Sequence, residues 1–109
     1  MITQIKGKLV EKNPTQVVVD CNGIGYEINI SLYTFSSLSS DENIKLFTHL
    51  QVREDAHILY GFFSVLERAV FRLLISVSGI GTSTARTMLS SLTPVEIQQA
   101  IGTEDVATI

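Results

Sequence analysis

The sequence predicts a mixed fold in which a small five-stranded β-barrel is followed by a helical region. Over about the first 60 residues, apolar and polar side chains alternate between turn residues, which is typical of strands. After Phe63 the apolar residues recur at the period of a helix. The Gly79-Ile80-Gly81 turn separates the first two helical patterns. We therefore predict a β domain over residues 1–63 and a helical domain over residues 64–109.

The first two strands precede a hairpin. Residues Met1 to Val10 are predicted to form a bent first strand, with Gly7 available for the bulge or corner that a small barrel needs. Asn13-Pro14 closes this strand into a turn. The β-branched run within Thr15 to Cys21 predicts the second strand. Asn22-Gly23 then predicts a two-residue turn, because both residue types tolerate positive φ.

Three more elements complete the barrel. The third strand is predicted over Ile24 to Ile30, and Leu32, Phe35 and Leu38 are then spaced for a short helix. The fourth strand runs from Ile44 to Val52, and the fifth from Ala56 to Phe62. Five strands with a helical element between the third and fourth form an OB-fold, whose β-surface commonly binds nucleic acids or sugars.

Four helical segments are predicted after the barrel. Ser64 and Glu67 have the spacing of a capping box, ahead of an apolar stripe of Val65, Ala69, Val70, Leu73, Leu74 and Val77. The second helix is predicted over Ser83 to Ser91, burying Ala85, Met88, Leu89 and Leu92. Thr93-Pro94-Val95-Glu96 is a second capping box that starts a third helix. Thr103-Glu104-Asp105 starts a fourth, so we expect the helical domain to be incomplete at Ile109.

The composition limits the function. Apolar residues make up 45% of the 109 residues, no run approaches the ~20 needed to span a bilayer, and no signal peptide is apparent, so we expect a cytoplasmic protein. Cys21 is the only cysteine and is predicted to be a small buried hydrophobe. The 8 basic and 11 acidic residues give a net charge of −3, which argues against a broad basic DNA-coating surface. The clusters Lys6, Lys8, Lys12 and Arg68, Arg72, Arg86 are interpreted as solvated faces.

The glycine turn, Gly79-Ile80-Gly81, is the first candidate site. Glycine at 79 and 81 can take positive φ, and the amides at the start of the next helix favour an anion. The hydroxyls after Gly81 can donate to phosphate, and Arg86 follows one turn later, so we predict that DNA phosphate is bound by Gly79, Ile80, Gly81, Thr82, Ser83 and Arg86. The alternative is a packing corner between two helices.

The second candidate site is the acidic tip, Arg53-Glu54-Asp55, which joins the fourth and fifth strands. It can be read as a solvated polar turn. Two carboxylates near His57 could also begin a Mg²⁺ site of a nuclease, although no acidic partner segment stands out. A third interpretation is that the carboxylates repel DNA phosphates and so exclude or part strands.

Specific segments resemble a known family. They are Met1-Ile2, Asn22 to Glu27, Phe47-Thr48-His49, Val52 to Ala56 and Leu59 to Phe62. Together they resemble the bacterial RuvA family, the Holliday-junction-recognition subunits of the RuvAB branch-migration machine. The resemblance runs the length of the chain, and the glycine turn falls at the family's first helix-hairpin-helix motif.

The resemblance implies a role in recombination, repair and the SOS response to DNA damage. It implies an OB-fold domain, two helix-hairpin-helix motifs and a C-terminal domain that contacts the RuvB ATPase, with the RuvC resolvase as a further partner. It also implies a homotetramer, or an octamer, that holds a four-way junction open. By position, Glu54 and Asp55, with Arg53 beside them, match the family's acidic pin. No catalytic residue, metal or cofactor is expected.

The chain departs from the family pattern in three places. Thr82-Ser83 stands where relatives often carry Pro-Lys, and the second hairpin motif and the RuvB-binding domain are absent from the sequence. We therefore expect reduced junction affinity and no branch migration. Because no Gly-x-x-x-x-Gly-Lys-Ser/Thr motif is present, ATP hydrolysis is expected of a partner. An OB-fold interaction domain without junction specificity is the alternative function, and Phe47, Leu59 and Phe63 are candidate outward positions for self-association.

Overall fold

The computed structural model describes residues 2–38 and 43–99, in which five strands close into a barrel. The strand order around the barrel is β1-β2-β3-β5-β4, with antiparallel pairs except for a short parallel contact between β3 and β5. The elements are β1 (Gln4–Asn13), β2 (Gln16–Cys21), β3 (Ile24–Asn29), α1 (Leu32–Ser37), β4 (Asn43–Val52), β5 (His57–Phe62), α2 (Val65–Ile75) and α3 (Thr82–Ser91). Residues 94–99 are also helical. The predicted fold class and element order are confirmed, whereas the predicted helix at Thr103-Glu104-Asp105 lies outside the described residues.

The first strand bends to join two neighbours. It pairs with β4 through its first half and with β2 through its second, and Lys8 opposes a residue of each. Gly7 lies at this corner, where a Cβ atom would overlap the backbone oxygen of Asp20. The bulge, which the sequence also allowed at Gly7, lies instead at Val10, since the register shifts between Leu9 and Glu11. Gly7 therefore permits close approach of β1 and β2, and the extra residue sits three positions later.

The β2–β3 hairpin forms as predicted. Asn22 and Gly23 have φ of 53° and 92°, so both turn residues occupy the positive-φ region that the sequence required. Inside the barrel, the alternating side chains form one apolar core of Ile5, Val17, Val19, Ile28, Ile30, Leu38, Ile44, Leu46 and Leu59. Leu59 is 7% exposed, so its prediction as an outward residue for self-association was wrong. Phe47 is half-buried and Phe63 is exposed.

Helix α2 buries only part of the predicted stripe, since Val70 and Leu74 are buried and Val77 is half-buried as expected, but Ala69 is exposed. Val65 and Leu73 are 52% and 42% exposed, whereas Glu67, Val70, Phe71 and Leu74 are buried. This face is buried because Phe71 packs against three rings on the outer surface of the barrel. The centroid distances to Phe71 are 5.5 Å for His49, 5.2 Å for Tyr60 and 4.9 Å for Phe62. Packing of these aromatic rings rotates α2 away from its most regular apolar stripe.

The helices after α2 follow the predictions more closely. Helix α3 begins one residue earlier than predicted, at Thr82, and buries Ala85 and Leu89. Leu92 is an exception, since it is 42% exposed beyond the last turn. The capping box at Thr93 is complete, because Thr93 N–H donates to Glu96 Oε1 (3.0 Å) and Glu96 N–H donates to Thr93 Oγ1 (3.2 Å).

The predicted capping box at Ser64 is only half formed. Ser64 Oγ accepts from the Glu67 N–H at 3.1 Å, as expected. The Glu67 carboxylate, however, turns into the protein and is fully buried. It accepts hydrogen bonds from the hydroxyls of Ser31 and Thr34, at the start of α1, and from the Phe63 N–H at 3.2 Å. One side chain of α2 thus connects α1, the end of β5 and α2.

The donors around Glu67 are themselves oriented. Ser31 Oγ accepts from the Thr34 N–H at 3.2 Å, and Thr34 Oγ1 accepts from the Phe63 N–H at 3.1 Å, so both hydroxyl protons are free to point at the carboxylate. Burial raises the pKa of Glu67, and the hydrogen bonds from Ser31, Thr34 and Phe63 offset part of that rise. None of these three partners carries a charge, so the carboxylate is held by neutral donors alone.

Replacing Glu67 should separate its hydrogen-bonding role from its charge. Glu67→Leu removes the acceptor of two buried hydroxyls, and we expect the free energy of unfolding to fall by about 2 kcal/mol. Glu67→Gln keeps one acceptor oxygen and adds an amide that Ser31 can accept, so the expected loss is under about 1 kcal/mol. Urea unfolding at neutral pH measures both, and equal losses in the two variants would contradict this role.

The same series, measured against pH, tests the buried charge. Because the folded pKa lies above the ordinary value of 4.5, the folded chain binds more protons than the unfolded chain between those two values. The part of the stability that comes from this raised pKa is therefore fully present below pH 4.5 and is lost as the pH rises through the folded pKa, whereas the acceptor role of Glu67 for Ser31 and Thr34 persists at neutral pH. The difference in unfolding free energy between wild type and Glu67→Gln should decline across that window, and a constant difference would refute the raised pKa.

Candidate nucleic-acid interface

The acidic tip projects from the end of the β4–β5 hairpin. The Arg53 N–H donates to the Ala56 carbonyl at 2.7 Å and closes a tight connection, in which Arg53, Glu54 and Asp55 are all exposed. His57, at the base of the tip, is exposed as well. Across residues 2–38 and 43–99, no three His, Cys, Asp or Glu side chains come together as metal ligands. The tip therefore presents two adjacent carboxylates to solvent at the extreme end of the barrel.

The glycine turn connects α2 to α3. Gly79 has φ of +89°, as the sequence predicted, whereas Gly81 has φ of −91° and ψ of 177°, an extended conformation open to any residue. The expectation of positive φ at Gly81 was therefore wrong. Gly81 is the N-cap of α3, and a Cβ atom there would have no neighbour within 4 Å among the described residues. The absence of a side chain leaves the helix N-terminus open to a ligand.

The first amides of α3 are available for such a ligand. The first helical hydrogen bond runs from Ala85 N–H to the Gly81 carbonyl at 3.0 Å, and no side chain caps the helix. The N–H groups of Thr82, Ser83 and Thr84 precede that bond. Unpaired amides at a helix N-terminus, together with the helix dipole, favour an anion. The geometry of the turn is thus compatible with an anion seat, and phosphate binding there stays a prediction.

The Thr82 side chain does not face this seat. It is buried, and its hydroxyl accepts from the Tyr60 hydroxyl at 3.0 Å and donates to Gln51 Oε1 at 3.1 Å. Gln51 lies on β4 and Tyr60 on β5, the two strands that carry the acidic tip. The start of α3 is therefore fixed to the stem of the acidic hairpin by a chain of three side chains.

Of the other predicted phosphate ligands, Ser83 is exposed beside the seat, whereas Arg86 is half-buried. The Arg86 guanidinium donates to Asn29 Oδ1 at 3.3 Å, and Asn29 Nδ2 donates to the Leu59 carbonyl at 3.3 Å. Arg86 thus contributes to the contact between α3 and the barrel. Its charge lies on the barrel side of α3, and Ser83 and Thr84 occupy the exposed side of the first turn.

A second polar contact joins α2 to β4. Arg72 Nε donates to His49 Nδ1 at 3.3 Å. Burial, followed by the positive charges of Arg72 and Arg68, lowers the pKa of His49, so the imidazole is neutral at physiological pH and accepts this bond. Sequence analysis did not single out Gln51, Tyr60 or the role of His49. Their positions on β4 and β5, the two strands that carry the acidic tip, were the only feature of the sequence that could have indicated these roles.

No helix in the described part of the chain is long and apolar enough to cross a membrane. The candidate interface described above has three parts. They are the exposed carboxylates of Glu54 and Asp55, the open N-terminus of α3, and the side-chain bridge of Gln51, Thr82 and Tyr60 between them.

Comparison with known proteins identifies the family. The family model for the RuvA N-terminal domain matches residues 1–61. Two relatives, both named Holliday junction branch migration complex subunit RuvA, cover the whole chain and 56% of their own length. They are 65% identical, from Christiangramia forsetii, and 60% identical, from Flavobacterium psychrophilum. A protein of the same name from Neisseria meningitidis serogroup C is 53% identical over 97% of this chain and 55% of its own length.

The chain therefore spans about half the length of the curated relatives it matches. The matched region contains the barrel up to Gly61, one residue before β5 ends, and the hairpin that carries the acidic tip. The alignments with the relatives extend through the glycine turn, since they cover all or nearly all of the chain. On this evidence the chain belongs to the RuvA family.

Proposed function

We propose that this chain is a non-catalytic, structure-specific DNA-binding unit that recognises four-way junctions and holds them open. The observation that carries the proposal is the bridge of Gln51, Thr82 and Tyr60, which ties the phosphate seat to the stem of the acidic tip. In this proposal, the amides at the start of α3 attract phosphate and the carboxylates of the acidic tip repel it, and the bridge fixes their relative positions. The names of the relatives, which describe a subunit of a junction branch-migration complex, support the same function.

The proposed mechanism divides the work between these two elements. The amides of Thr82, Ser83 and Thr84 hold a backbone phosphate of one arm, without reading sequence. Glu54 and Asp55 then stand near the crossover, where a carboxylate and a phosphate at 4 Å repel by about 1 kcal/mol in water and about 4 kcal/mol at an effective dielectric of 20. Binding of the arms therefore keeps the crossover strands apart.

The proposed assembly follows the family. We assign residues 1–63 to the OB-fold domain and residues 64–109 to part of the helix-hairpin-helix domain. Four copies in a tetramer, or eight in an octamer, would surround one junction and place several acidic tips around it. The RuvB ATPase would bind through a C-terminal domain and supply the energy, with RuvC as a further partner, in the cytoplasm. The alternative of an OB-fold interaction domain gains no support from the relatives.

Neutralising the acidic tip tests the repulsion directly. In competition at one fixed salt concentration, wild type should prefer a four-way junction to linear duplex of the same arm sequences. Glu54→Gln/Asp55→Asn should bind the junction equally well or more tightly, because the repulsion is removed. A fluorescent base analogue at the crossover should nevertheless report less unstacking with this variant than with wild type.

The matched control is Glu11→Gln/Glu27→Gln, which makes the same charge change at two exposed positions elsewhere on the barrel. It should behave like wild type in both assays. Weaker junction binding by the tip variant, with normal binding by the control, would show that the tip attracts a ligand and is not a repulsive element. Equal binding of junction and duplex by wild type would favour the interaction-domain alternative.

Ser83→Lys tests the phosphate seat. Ser83 is exposed, so a lysine there would put a cation beside the exposed amides and should add a charge-assisted phosphate contact. We expect roughly fivefold tighter binding to junction and duplex alike, with a steeper salt dependence. The same lysine opposes the dipole of α3, so the unfolding free energy should fall by about 0.5 kcal/mol. Unchanged affinity and salt slope would place the DNA backbone elsewhere.

A further inference from the structure

Five of the eight basic residues lie along one side of the molecule. We call this set the basic stripe; its members are Lys6, Lys8, Lys45, Arg68 and Arg72. The net charge of the chain is −3, so this surface is strongly unlike the average. Sequence analysis interpreted the clusters that contain Lys6, Lys8, Arg68 and Arg72 as solvated faces and did not single out Lys45. The five residues come from three separate segments that only the fold brings together.

The positions of Lys6 and Lys45 destabilise the sheet. Lys6 and Lys45 are direct cross-strand partners in the β1–β4 ladder, and Lys8 follows on the same face of β1. Directly opposed like charges destabilise a sheet. Within the described part of the chain, none of the three lysines forms an ion pair; the one described carboxylate opposite them is Asp20, across the ladder from Lys8 at the far end of the stripe. Such an arrangement favours an anionic ligand that relieves the repulsion.

The arginines continue the stripe along α2. Phe47, two residues after Lys45, lies between cations, with Lys45 Nζ 5.1 Å and Arg68 Cζ 5.5 Å from its ring centroid. Arg68 also donates to the Thr3 carbonyl at 2.8 Å, and Arg72 donates to His49. These contacts hold both guanidinium groups beside β4 while leaving donors on each for a ligand.

The stripe leads to the site already described. Lys45, Phe47, His49 and Gln51 occupy successive outward positions of β4, which ends at the acidic tip. Gln51 contacts Thr82 at the phosphate seat. At about 3.3 Å per residue, Lys45 lies roughly 20 Å from Gln51 along the strand, which equals about six base-pair steps of 3.4 Å. The stripe therefore extends away from the seat on the scale of a duplex arm.

We propose that the basic stripe binds the sugar–phosphate backbone of the duplex arm that leaves the crossover, beyond the phosphate held at the glycine turn. This proposal rests on the proposed function for the position of the arm. Point charges on flexible stems suit phosphates and carry no sequence preference. The same contacts would anchor the arm against the repulsion that the acidic tip exerts at the crossover.

The test compares Lys6→Gln/Lys45→Gln with wild type on junctions of two arm lengths over a range of salt. With 20-base-pair arms we expect roughly tenfold weaker binding, and a salt slope smaller by about two per bound chain. With arms of about 5 base pairs, which end before Lys45, wild type and variant should bind equally. Because a like-charge pair is removed, the midpoint of thermal unfolding should not be lower than that of wild type.

Two controls isolate the stripe from total charge. Lys12 lies on the same strand but points elsewhere, with its Nζ bonded to the Leu38 carbonyl at 3.1 Å. Lys12→Gln should leave long-arm affinity within about twofold of wild type, whereas the single change Lys45→Gln, of equal charge, should weaken it further. Lys6→Arg/Lys45→Arg keeps both charges in place and should retain wild-type affinity and salt slope.

Each outcome decides one proposal. Equal losses in Lys12→Gln and Lys45→Gln, or an equal loss on short and long arms, would overturn the stripe as an arm-binding surface, and so would an unchanged affinity of the double variant. Junction preference of wild type decides the proposed function separately. If that preference is absent but Lys6→Gln/Lys45→Gln still weakens binding to linear duplex, the stripe binds DNA and the junction-specific function fails.

Discussion

The placement of the helices depends on one buried carboxylate. Glu67 accepts hydrogen bonds from α1 and from the residue that follows β5, so it fixes where α2 leaves the barrel. With that exit fixed, Phe71 reaches the rings of Tyr60 and Phe62 on the outer surface of the barrel. A buried carboxylate costs free energy unless its oxygens are satisfied, which is why three donors converge on it.

Because the hydrogen bonds of Glu67 fix the start of α2, they also affect where the opposite end of α2 lies. The glycine turn and the start of α3 come to rest against β4 and β5, where Thr82 bonds to Gln51 and Tyr60. The amide seat and the acidic tip are then parts of one body. A repulsive group can part DNA strands only if the DNA is held firmly nearby, so the proposed function requires that the seat and the tip belong to one rigid body. The proposed function is also compatible with a net charge of −3, since the proposed attraction to DNA is confined to the seat and the basic stripe.

Much of this could be predicted from residue patterns. Strand alternation, the Asn22-Gly23 turn and the capping box at Thr93 are local signals, and each was confirmed because local geometry decides it. The buried face of α2 was only partly predicted: Val70 and Leu74 are buried as expected, but Val65 and Leu73 are exposed because three aromatic rings on distant strands pack against Phe71. Glu67 was assigned only to a capping box with Ser64, since its partners Ser31 and Thr34 lie more than 30 positions away in the sequence. Thr82 was assigned to phosphate, although its hydroxyl serves the barrel.

The central claim is that the acidic tip and the phosphate seat are held at a fixed distance from each other. The most direct test is the distribution of distances between two spin labels, measured by pulsed electron paramagnetic resonance. Labels at Ala56→Cys and Thr84→Cys, both exposed positions, would be introduced in a Cys21→Ser background. The account predicts one narrow distribution, which broadens when Glu67→Leu is added under conditions where circular dichroism shows the chain still folded. A broad distribution in the labelled chain that retains Glu67, or no change on adding Glu67→Leu, would contradict it.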